Sequence, residues 1–77
     1  MSPENPNAKL IYMANQIATF FQSQPADVAA QGVATHINRY WEVRMRRKLF
    51  EHIDRGGEGL NPLVLEAAPK IRRPEAA

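Results

Sequence analysis

Cysteine is absent from this 77-residue chain. No disulfide framework, thiolate metal site or iron–sulfur ligand set can therefore be built from it. No apolar run approaches the roughly 20 residues that cross a bilayer. The opening residues, Met-Ser-Pro-Glu-Asn-Pro-Asn, carry no basic segment followed by a hydrophobic one and do not read as a signal peptide. These absences point to a cytoplasmic protein with no membrane partner. Glycine is scarce, and three of the four fall together at Gly56, Gly57 and Gly59. They follow a helical pattern rather than a strand and lack a Lys-Ser/Thr ending, so they read as a cap and turn, not a phosphate loop. Nucleophiles are equally few: Ser2, Ser23, Thr19 and Thr35 sit in no catalytic motif. His36 and His52 are the only histidines, and no His-x-x-Glu-His type spacing surrounds them. They read as half-buried polar residues with local hydrogen bonds. No catalytic residue, metal ligand or cofactor-binding residue is expected in this chain.

What the chain does have is apolar surface. Hydrophobic residues make up 44% of a length that allows only one domain with a thin core. Such a unit cannot easily bury all its apolar faces alone, which points to a docked subunit and to self-association when it is isolated.

The periodicity predicts an all-α fold: three main helices plus a short C-terminal one, over residues 8–68, between disordered termini at 1–7 and 69–77. Asn7 is placed to cap a helix over about 8–22. Leu10, Met13, Ala14, Ile17 and Phe21 recur at three- and four-residue spacing, and Phe20 widens the stripe. The opposite face, Tyr12, Asn15, Gln16, Thr19 and Gln22, is polar but uncharged, which suits partial burial as well as it suits water. Pro25 opens a second helix to about Tyr40, with Asp27 in its favourable first turn. Gly32 lies inside that helix, at a cost of about 1 kcal/mol relative to Ala. A close helix crossing explains it, and so does simple tolerance. Neither Pro nor Gly separates this helix from the next, but their apolar sides do not align in one rod, so a bend is expected near Trp41-Glu42. Gly56-Gly57 ends the third helix, and Asn61-Pro62 starts a short fourth one.

The third helix carries the charge. Arg44, Arg46, Arg47 and Lys48 follow Tyr40-Trp41 directly. Aromatic plus Arg is the composition of binding hot spots, because Trp buries a large area and Arg pairs bidentately. Tyr40, Trp41, Arg44, Arg46, Arg47 and Lys48 are therefore the candidate partner-binding residues. Trp41 has an equally good reading as a core anchor. On a helical wheel Arg44, Arg47, Lys48, Glu51 and Arg55 share the wet arc, with Arg47–Glu51 and Glu51–Arg55 spaced for ion pairing. Arg46 falls between Ile53 and Phe50, and an Arg there should be partly buried on a specific acceptor. The positive field is local to this segment, which suits an acidic protein patch or a phosphate and is weaker than the broad basic footprint of a nucleic-acid binder.

Three ordered segments carry a resemblance. They are Leu-Ile-Tyr-Met-Ala-Asn-Gln-Ile from Leu10, His-Ile-Asn-Arg-Tyr-Trp-Glu-Val-Arg-Met-Arg from His36, and Gly-Gly-Glu-Gly-Leu-Asn-Pro-Leu-Val from Gly56. Together they resemble the small delta subunit of soluble NAD-dependent, molybdenum-containing formate dehydrogenases over about residues 10–67. Glu42-Val43 departs from the pattern, which has Asp-Pro there. The resemblance implies a non-catalytic accessory subunit that supports assembly, cofactor loading or quaternary structure. It also implies that the large catalytic subunit is the partner. Molybdenum–pterin, iron–sulfur clusters, FMN and NAD would then belong to the host complex and not to this chain. The rival reading is a small basic nucleic-acid-binding helical domain that reads with its third helix.

Overall fold

A computed structural model of the chain describes residues 7–74. Four helices follow one another: α1 (Ala8–Phe21), α2 (Ala26–Tyr40), α3 (Val43–Asp54) and α4 (Pro62–Ala67). A 3-10 turn, Ala68–Lys70, extends α4, and no strand occurs among the described residues. The all-α expectation of three main helices and a short fourth holds. The expected flexible start falls mostly on residues 1–6, outside the described residues.

α1 buries Leu10, Ala14 and Ala18, spaced by four, with Ile11, Met13, Ile17 and Phe21 flanking them. The innermost line is thus smaller than the expected stripe. Two alanines facing α2 allow the helices to approach through Ala29, Ala30, Val33 and Ala34, all buried. Phe20 does not widen this stripe. It is 74% exposed. Phe21 itself lies over Gly32, where an added Cβ would stand 2.6 Å from two ring carbons. The glycine in mid-helix is therefore a seat for an aromatic side chain.

The break after α2 needs no Pro or Gly. Trp41 (φ −92°, ψ 134°) and Glu42 (φ −68°, ψ 158°) are both extended. The Trp41 N–H still donates to the Ile37 carbonyl at 3.0 Å, and the Glu42 carbonyl accepts from Arg46 N–H at 3.0 Å. Each helix keeps its end bond while the chain changes direction. The turn drops the Trp41 ring into the core and lets Leu49, Phe50 and His52 of α3 face inward.

α3 ends in a Schellman arrangement. Gly56 N–H donates to Ile53 O at 3.0 Å and Gly57 N–H to His52 O at 2.9 Å. Gly56 (φ 117°) and Gly57 (φ 66°) take the positive φ that this reversal requires. His52, buried, lies with Nε2 2.7 Å from the Glu58 carbonyl and so ties the turn back to α3. Asn61 caps α4 as expected, its Oδ1 accepting Leu63 N–H at 2.9 Å. Leu63, Val64 and Ala67 then close the core against α2.

Residues 70–73, read from the sequence as the start of a loose tail, are strapped to the domain. Ile71 is buried. Asn38 donates to the Lys70 carbonyl at 3.1 Å and accepts Arg72 N–H at 2.7 Å. Arg73 pairs with Asp54 and lies 4.6 Å over the Phe50 ring. Too short for periodicity, this segment gave no sequence signal; its partners lie on α2 and α3.

Candidate docking surface

The six residues proposed from the sequence do not form one surface. Trp41, only 6% exposed, belongs to the hydrophobic core, so its core-anchor reading is the one the structure bears. Arg46 is half-buried and turned toward the C-terminal strap, where its Nη1 donates to the Arg72 carbonyl at 2.6 Å. The partly buried Arg with a specific acceptor is thus present. It is not bidentate, since one guanidinium nitrogen is used and Nε is buried with no partner. Arg44, Arg47 and Lys48 are exposed along α3, as the helical wheel predicts. The spaced pairs Arg47–Glu51 and Glu51–Arg55 do not close. The one ion pair among the described residues is Arg73–Asp54. Arg44, Arg47 and Lys48 therefore face solvent with no carboxylate among the described residues to hold them.

Tyr40 is 65% exposed and sits elsewhere, at the end of α2, with its ring 4.9 Å from that of His36. Together with Gln16, Ile17, Phe20 and Phe21 these two rings line a groove of about 570 Å³ between α1 and α2. No Asp, Glu, Lys or Arg is in this lining. Tyr12, 63% exposed, continues the aromatic edge one turn before Gln16, whose Nε2 donates to the Tyr12 hydroxyl at 3.0 Å. The sequence reading left the uncharged side of α1 open to partial burial, but it put Phe20 on the opposite, core stripe and so missed that Phe20 belongs to this face. The signal was the four-residue spacing of Tyr12, Gln16 and Phe20 on the uncharged side of α1. Asn15, counted on that same side, has a structural task. It donates to the Gly59 carbonyl at 2.9 Å and accepts Asn61 N–H at 2.7 Å, clamping the glycine turn to α1.

A further groove, of about 390 Å³, opens between the first turns of α1 and α3, with Lys9, Arg44 and Lys48 at its edge. Among the described residues no group of three or more His, Asp or Glu side chains is arranged to hold a metal ion. No described helix is long and apolar enough to cross a membrane.

Residues 9–68 match the family model described as NADH-dependant formate dehydrogenase delta subunit FdsD. The chain belongs to the formate dehydrogenase delta subunit family. It is a non-catalytic accessory subunit of an enzyme whose chemistry is carried by other chains. The match in the delta subunit runs from the first turn of α1 to the end of α4 and takes in both the aromatic groove and the cations of α3. The strap at 71–73 lies beyond it. No curated protein matches this delta subunit.

Proposed function

We propose that this delta subunit docks on the large catalytic subunit of a cytoplasmic NAD-dependent formate dehydrogenase and holds the complex in its working assembly. It supports assembly, cofactor loading or quaternary structure, while molybdenum–pterin, iron–sulfur clusters, FMN and NAD are bound by the other subunits. The observation that supports this reading is the exposure of Phe20 and Tyr40. Two large rings stand in water beside an uncharged groove on a domain whose core has room for Trp41 and Phe50. Contiguous exposed apolar surface of this kind marks an interaction site. Tyr40 thus keeps its proposed partner-binding role, as do Arg44, Arg47 and Lys48, which supply charge for an acidic partner. Trp41 and Arg46 act inside the chain. Left alone, the chain self-associates through the same rings.

The test is co-expression of the tagged chain with the other formate dehydrogenase subunits. Capture of the large subunit by the wild type is the expected result, with formate-dependent NAD reduction in the eluate. The double variant Phe20→Ser, Tyr40→Ser should keep its helical circular dichroism but lose capture. A wild-type chain that brings down none of the other subunits refutes the proposal.

A further inference from the structure

The groove between the first turns of α1 and α3 is distinct from the aromatic one, and the two share no lining residue. Its floor is apolar: Leu10 and Met13 from α1, Met45 from α3. Its edge is cationic: Lys9 from α1, Arg44 and Lys48 from α3, all exposed. Among the described residues no carboxylate lines it and none of the three cations is ion-paired. Both helices start here, and neither has an acidic residue in its first turn. Helix starts carry partial positive charge, which an acidic residue in the first turn ordinarily offsets. Glu42, at the N-cap of α3, is exposed and is not part of the lining. Three cations thus edge an apolar floor, and among the described residues the one carboxylate at these helix starts, Glu42, stands outside the lining. Methionines in the floor are unbranched and adapt to the shape of what enters.

We infer that this groove receives an acidic amphipathic segment of the large catalytic subunit, one apolar side chain seated on Leu10, Met13 and Met45 with carboxylates on either side meeting Lys9, Arg44 and Lys48. The inference rests on the docking role proposed above and names the chemistry of one contact. Charge complementarity identifies the partner: a basic or neutral segment leaves three cations uncompensated as water is expelled. The apolar floor separates a peptide from a bare phosphate, which would gain nothing from the methionines. Lys9 is the residue that the sequence pattern did not bring to this site; only the packing of α1 against α3 does.

The experiment uses the full chain co-expressed with the other subunits. Lys9→Glu and Arg44→Glu should each weaken capture of the large subunit by at least about tenfold, as expected where a like charge replaces an attractive one. Met45→Asp should do the same, with helical circular dichroism retained. Arg39→Glu and Arg55→Glu make the same change in net charge at exposed positions outside the groove and should stay near wild type. Overlapping peptides of the large subunit then locate the segment. An acidic, apolar-centred peptide should bind wild type, and its Glu→Gln form should not. Equal effects of groove and control variants would reduce the contact to overall charge and overturn the inference. So would unchanged capture by all the groove variants, with the docking role intact because wild type still captures. Two other occupants are also decided. A short DNA duplex that binds at physiological salt and is lost in Lys9→Glu would replace the peptide by phosphate. Deletion of residues 2–6 that raises peptide affinity above wild type would make the chain's own start the occupant.

Discussion

Replacing Gly32 by Ala sets two known effects against each other. Alanine is favoured over glycine inside a helix by about 1 kcal/mol. Here the new methyl would stand 2.6 Å from Phe21 Cδ1 and Cε1 and 3.1 Å from Cγ. Carbon atoms pack at about 3.5–4.0 Å, so the ring must retreat by roughly 1 Å or more. Phe21 is half-buried, and Phe20 meets it edge-on with centroids 5.0 Å apart, so the retreat disturbs both rings. Overpacking of this kind costs about 1–3 kcal/mol. The balance is a loss of about 1 kcal/mol, or roughly 4–8 °C in Tm for a domain of this size. The sign should reverse when the ring is gone. In a Phe21→Ala background, Gly32→Ala should stabilise by about 0.5–1 kcal/mol, leaving only the helix preference. Urea unfolding of the four proteins, followed by far-ultraviolet circular dichroism, gives the coupling as a double-mutant cycle of about 2 kcal/mol. If Gly32→Ala stabilises both backgrounds equally, the glycine is merely tolerated and Phe21 does not rest on it.

Arg46→Ala should cost about 1–2 kcal/mol, because it leaves the Arg72 carbonyl without its charged donor. Lys48→Ala should stay within about 0.5 kcal/mol, as for an exposed residue. Arg46→Lys should retain most of the stability, since only Nη1 is used and lysine brings no buried Nε; equal urea midpoints for the two alanine variants would count against the strap contact. Asn15→Ala removes both bonds to the glycine turn and should cost about 2 kcal/mol, at about 1 kcal/mol each. Amide exchange at Asn61 should speed up in that variant, and an unchanged rate would mean that the turn holds without α1.

The helices and their ends were legible because their causes are local. Pro25 opens α2, Gly56-Gly57 closes α3, and Asn61-Pro62 starts α4; each acts through φ or through a cap bond within a few residues. The inward lean of Arg46 was also legible, because position on a helix fixes direction at about 100° per residue. The family was legible in three ordered segments. Only the tertiary structure could sort the aromatics. Phe20 and Phe21 are neighbours on one helix, yet Phe20 stands in water while Phe21 rests on the gap that Gly32 of α2 leaves. Tyr40 and Trp41 are likewise adjacent, and an extended break between two helices sends one outward and the other into the core. The strap at 71–73 and the joining of Lys9 to Arg44 and Lys48 depend on residues some 20 to 40 positions apart meeting across the bundle. Periodicity reports which side of a helix is wet; it carries no information about which other helix comes to meet it.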